Sequence, residues 1–249
     1  MKRGFLGATQ LLTIIPVQLS SPPKPAATVP WFPVVGALIG CAVGGIAAGM
    51  TEVVPASVAA GIAVIAGTVL TGAIHEDGLA DTADALGGRT IERRREILKD
   101  SQLGSYGVIG MFTTLILRIL CVATLNPAAA FAGLIAAHTL GRGGAVGVMA
   151  TASELPDSGL GAEYTRTLSR RSALFGVAAA ISITVLATGW WAGPLVAVAT
   201  IGAAIVSVVA LRLFGAINGD ILGAVEQVGE CLVLVVVSGL ALEHQLWWA

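Results

Sequence analysis

Charge is scarce in this chain. Only 12% of its 249 residues are Asp, Glu, Lys or Arg, against roughly 25% in an ordinary soluble protein, and the mean hydropathy is +0.86. A soluble domain is excluded. The short alternating segments of a membrane β-barrel are also missing. Cys41, Cys121 and Cys231 form no C-x-x-C pair, so neither a zinc site nor a disulfide framework is indicated and each reads as a small apolar side chain in helix packing. No small-x-small cleavage site follows the N-terminal MKRGFLGATQLLTIIPV, and Pro16 shortens any helix there. That stretch reads as a short helix at or dipping into the membrane rather than a signal peptide. The net charge of -1 says nothing about partners; none of nucleic acid is expected, and a homo-oligomer stays open.

What is present is long apolar runs, seven of them: 34–50, 55–74, 106–125, 128–150, 173–191, 194–213 and 229–246. Each suits the roughly 20 residues that cross a bilayer core. Backbone groups in lipid must be bonded within their own segment, so the runs should be helices. The fold class is all-α, a polytopic membrane protein of one domain over residues 1–249. With the N-terminus in the cytoplasm, twelve cations fall in inner loops: Lys2, Arg3, Lys24, Arg89, Arg93, Arg94, Arg95, Lys99, Arg166, Arg170, Arg171 and Arg212. The outer connections hold none, as positive-inside topology requires, and the polar face meets lipid headgroups. Trp31 suits the inner interface, and Trp190, Trp191, Trp247 and Trp248 the outer one. Gly36, Gly40 and Gly44 make a ridge for close helix packing.

Against that background, HEDGLADTADALGG (75–88) stands out. Asp77, Asp81 and Asp84 are spaced i, i+4, i+7, within about 40° of one another on a helix. No Lys or Arg three or four places away relieves their repulsion. Oxygen-only ligands in such a cluster suit a hard cation, Mg2+ or Mn2+, with coordination room left for substrate phosphates. Glu76, about 100° off that face, is a further candidate ligand or a group behind the ligands. Arg93, Arg94 and Lys99 follow, cations of the kind that hold a diphosphate or anionic lipid, and Asp100 and Ser101 would face the same pocket if the segment folds back. INGDILGAVEQVGE supplies Asp220, Glu226 and Glu230 at the inner start of the last span, expected at the level of the first cluster. Arg142, charged within a span, should line a polar cavity. Arg118 either does the same or pairs with an acid. His75 and His138 read as non-ligands. One shared cavity, with Asp220 nearest the metal, would bring the last span beside the second.

These motifs, with REILKDSQLGSYGV, WFPVVGALIG and the opening FLGATQLLTIIPV, resemble the cobalamin synthase family, the adenosylcobinamide-GDP ribazoletransferases. They run in the family's order over nearly the whole chain, with Ala85 where the family usually has glycine. The resemblance implies an Mg2+-dependent enzyme of a prokaryotic cytoplasmic membrane, its site facing the cytoplasm. It would join alpha-ribazole, or its 5′-phosphate, to adenosylcobinamide-GDP and release GMP. Asp77, Asp81 and Asp84 would be ligands, with Glu76, Asp100 or Asp220 completing the set and one free carboxylate taking a proton. Two other readings compete. The strict pattern of CDP-alcohol phosphotransferases is absent, with Ile74 three residues before Asp77 and Asp81 after Ala80. A secondary transporter would keep its ionisable groups near the bilayer midplane.

Overall fold

The computed structural model describes residues 2–19, 21, 23–100, 102–151 and 160–249, the side chains of 160–163 excepted. Among them every regular element is helical. In chain order these are α1 (Lys2–Leu12), α2 (Pro25–Thr28), α3 (Phe32–Met50), α4 (Ala56–Leu70), α5 (Ile74–Ala85), α6 (Ile91–Ile97), α7 (Ser105–Ala123), α8 (Pro127–Met149), α9 (Leu160–Thr167), α10 (Arg170–Thr188), α11 (Ala192–Phe214) and α12 (Gly219–Glu243).

Pro25–Met50, Ser105–Ala123, Arg170–Phe214 and Gly219–Glu243 are long and apolar enough to cross a membrane, and the bent pair α4–α5 makes a fifth. Seven apolar runs become four or five segments for two physical reasons. First, α10 and α11 form one 45-residue run, broken where Gly189 takes φ +63°. Ala180 and Ala203 nevertheless face consecutive residues, Gly143 and Gly144 of α8. Straight helix would hold them roughly 35 Å apart, so the chain doubles back at Gly189. Second, α8 is diluted by glycine, His138 and Arg142. It does not need lipid-like apolarity because nearly all of it is buried in the bundle.

Small residues put α8 at the centre. A Cβ on Gly40 would stand 2.6 Å from Ile135 Cα, and one on Gly44 3.0 Å from Phe131 Cα, so the α3 ridge lies directly on the α8 backbone. On the opposite face a Cβ on Gly141 would meet Glu226 O at 2.9 Å, which seats α12. Dispersion over such close contacts is what holds helices together where no hydrophobic drive exists between them.

The other feature that positions the site is an elbow. Gly72 (φ +64°) and Ala73 (φ +58°) are both left-handed, and α5 leaves the direction of α4 by 88°. The amide of Ile14, just after α1, bonds the carbonyl of Leu70 at the same corner (2.9 Å). Beyond it α5 packs along the start of α12: a Cβ on Gly78 would sit 2.8 Å from Asp220 O. α6 is tied to the same end, where Arg95 Nε donates to Phe214 O (2.9 Å) and Arg94 to Leu213 O (3.4 Å), the last carbonyls of α11. Aromatic rings mark both ends. Trp31 meets Phe5 and Phe175 edge-on at 5.8 and 6.2 Å, while Trp190 lies against Trp191 and His244 and Trp248 donates to Ala187 O.

Candidate active site

The ionisable residues divide into a rim and a buried network. The rim is Asp77, exposed, with Asp81 and Asp220 half-buried. Asp77 and Asp220 line one cavity of about 200 Å³, together with His75, Arg142 and Glu226. The first and last acidic motifs therefore do meet. Gly78 and Gly223 make that meeting of α5 and α12 close, their Cα atoms being near-neighbours. Among the described residues no Lys or Arg pairs with Asp77, Asp81 or Asp220. The Asp81 carboxyl is pushed up to about 6, first by partial burial and then by the charges of Asp77, Asp220 and Asp84. Burial and the neighbouring carboxylates both favour its protonated form.

Asp84 shares the helix face but has other partners. Its two oxygens accept the backbone N–H groups of Gly104 (2.7 Å) and Gly107 (2.8 Å), which cap the start of α7. Both glycines are required, because a Cβ on either would strike the carboxylate. Asp84 thus ties α5 to α7 rather than standing free beside Asp77.

The deeper network answers the cost of charge inside a membrane bundle. Arg118, 1% exposed, donates to Gln227 Oε1 (2.7 Å) and pairs with Glu230 (2.9 Å) and Glu76 (3.4 Å). Glu76 also accepts from Thr68 (2.9 Å). Arg142 pairs with Glu230 (2.8 Å) and Glu226, and His138 contacts Glu230. Glu226 and Glu230 lie about 9 and 15 Å further along α12 than Asp220, Glu226 on the cavity that Asp77 lines and Glu230 joined to Glu76 through Arg118. The apolar run that begins at 229 starts ten residues after α12 does, because those acids look like surface residues in the sequence. His138, Glu226 and Glu230 are near enough to one another for an ion, but the Arg142 guanidinium already stands between the two carboxylates.

The loop cations go elsewhere. Arg93 is exposed and pairs with Glu96 (2.9 Å), Arg94 caps α11, Lys99 is exposed, and Asp100 accepts from the Gln102 amide (3.1 Å). None of them lines the cavity. Ser101 lies outside the described residues. Sequence reasoning missed the Thr68 and Gln227 contacts and the His138–Glu230 pair. The available signal was the arginines: two guanidinium groups in apolar spans require buried acids, and Glu226 and Glu230 share one face of α12.

An acidic rim that, among the described residues, has no Lys or Arg partner lies over a buried network of glutamates and arginines in an all-helical bundle with four or five segments able to cross a membrane. The class is a helical membrane protein. The family is narrower. The family model described as Cobalamin-5-phosphate synthase matches residues 4–238, and the chain belongs to that family. It is 36% identical to the adenosylcobinamide-GDP ribazoletransferase of Bradyrhizobium diazoefficiens, over 93% of this chain and 91% of the relative. The protein of the same name from Ralstonia nicotianae is 37% identical over 82% and 81%. No solved structure matches.

Proposed function

We propose that the protein is an adenosylcobinamide-GDP ribazoletransferase that joins alpha-ribazole, or its 5′-phosphate, to adenosylcobinamide-GDP. The relatives bearing that name support the reaction, and the unpaired aspartates of the rim carry the site assignment. A ribose hydroxyl of the ribazole other than the 5′, which is esterified in the 5′-phosphate, attacks the phosphorus on the cobinamide side of the diphosphate. A new P–O bond forms, the P–O bond to GMP breaks, and the hydroxyl proton passes to a rim carboxylate not engaged by the ion. Such transfers are accelerated mainly by positioning and by neutralising charge on the oxygens. Two of Asp77, Asp81 and Asp220 would hold Mg2+, which supplies that neutralisation when bound, and the third is left to take the proton. Arg118 and Arg142 are already committed to glutamates, so their part is to keep the floor of the site rigid.

The membrane reading that goes with this has seven crossings, α3, α4, α7, α8, α10, α11 and α12, in the cytoplasmic membrane of a prokaryote. The N-terminus and the rim lie inside, and α1 lies at the interface. The cation-bearing segments around α6 and the end of α11 support it. Purified protein given adenosylcobinamide-GDP, alpha-ribazole and Mg2+ should release GMP, and chelation should stop it. Asp77→Asn and Asp220→Asn should lose most turnover while melting like wild type. Nucleotide-independent transport of a solute, with no GMP formed, would replace the enzyme by a carrier.

A further inference from the structure

The cavity that carries Asp77 and Asp220 on its lip has a second wall of different chemistry. Leu12, Phe32, Ile74, Met149 and Tyr164 line it, with the rings of Phe32 and Tyr164 stacked at 6.3 Å and 29°. Its volume of about 200 Å³ is below the roughly 300–1,000 Å³ of sites that enclose a drug-sized ligand. Neither a corrin ring nor a whole guanine nucleotide fits. A single flat two-ring group does.

The floor is polar and incompletely satisfied. His75 and Arg142, 8% and 1% exposed, both line the cavity, and His75 Nδ1 and Arg142 Nε have no hydrogen-bond partner. His75 Nδ1 stands 3.6 Å from Glu226 Oε2, beyond a hydrogen bond. Buried polar atoms left this way are costly unless something enters to meet them. A neutral aromatic heterocycle supplies both needs, a face for the apolar wall and edge nitrogens for the floor. With the lip carboxylate on two sides, an anionic group does not suit the cavity unless a cation sits on the lip.

We propose that this cavity is the acceptor subsite. It takes the heterocyclic base of the incoming nucleoside between Phe32, Met149 and Tyr164, with the base edge toward His75 and Arg142. The ribose then points outward, and its attacking hydroxyl reaches the aspartate rim, where a bound cation would hold the diphosphate of the larger substrate. This inference rests on the ribazoletransferase reading and divides its two substrates between the inside and the outside of one cavity.

The test uses the full-length protein in detergent with both substrates varied. Phe32→Leu, and Ala145→Leu to fill the cavity, should raise the KM for alpha-ribazole about tenfold, the worth of one aromatic contact. The KM for adenosylcobinamide-GDP should stay within about twofold. In wild type, benzimidazole alone should inhibit competitively against alpha-ribazole and not against the GDP substrate, which decides the matter if the variants do not fold. A raised KM for the GDP substrate alone, unchanged constants in both variants, or no inhibition by benzimidazole would each overturn the subsite. Absence of GMP release from wild type would instead overturn the parent reading, and saturable benzimidazole binding lost in Ala145→Leu would still stand apart from it.

Discussion

The rim and the buried network have similar composition and opposite treatment. Asp77, Asp81 and Asp220 are exposed or half-buried and, among the described residues, no Lys or Arg pairs with them, although water makes an isolated carboxylate cheap. Glu76, Glu226 and Glu230 are at most 2% exposed, and each has a guanidinium within ion-pair distance. Three buried carboxylates are met by two guanidinium groups and His138 where bare charge would prevent folding, and the rim is left without partners where a ligand can supply them. An unpaired charge that the fold tolerates, rather than a paired one it requires, is what points to a ligand.

The comparison breaks most visibly at Arg118. Arg118→Leu leaves Glu76 and Glu230 buried without their shared cation, a loss of about 3–5 kcal/mol. It should appear as failure to accumulate or as a steep fall in melting temperature. Arg118→Leu combined with Glu76→Gln should recover part of it, since Glu76 has no other cation among the described residues; a double variant no better than the single one would show that the network does not carry the stability. Next in size is Gly36→Leu, since a Cβ there would stand 2.7 Å from Arg142 Cδ. Overpacking of this kind costs about 1–3 kcal/mol, whereas Gly45→Leu, with open space around it, should melt like wild type.

The rim should respond with the opposite sign. Asp81 titrates higher in the folded protein, at about 6 against 3.8, so its charged form opposes folding. That penalty is full above pH 6 and absent below the unfolded value, where both states are protonated. Metal-free Asp81→Asn should therefore melt higher than wild type at pH 7, with the gain gone near pH 3.5. Asp84→Asn, by contrast, should lose about 1 kcal/mol as a weakened helix cap and keep more turnover than Asp77→Asn. The smallest effect is expected at the elbow: Ala73→Gly relieves a left-handed alanine and should raise stability by no more than about 1 kcal/mol.

Much of this was legible in the residues. The α3 glycine ridge, the two aromatic ends, the all-helical membrane class and the meeting of Asp77 with Asp220 follow from period, composition and charge placement. Asp84 was not separable from Asp77 and Asp81, because i, i+4, i+7 spacing specifies a shared face and says nothing of what else reaches it. What reaches it is the first turn of α7, through Gly104 and Gly107. Arg94 likewise looks like a phosphate ligand until the end of α11 is placed against it. The depth of Glu226 and Glu230 was hidden for a related reason: a charge reads as a boundary when its partner lies far away in sequence.

That separation also sets a schedule. Arg118 enters the membrane with Glu76 already made, 42 residues earlier. Arg142 must wait for Glu230, which comes 88 residues later. At synthesis rates of about 5–20 residues per second the wait is roughly 4–18 s. For that interval the guanidinium of Arg142 in α8 is without its acids, and the α10–α11 hairpin is made before α12 arrives to neutralise it. The last helix is thus the one that completes the fold: until residues 226 and 230 are made, Arg142 has neither of its acids.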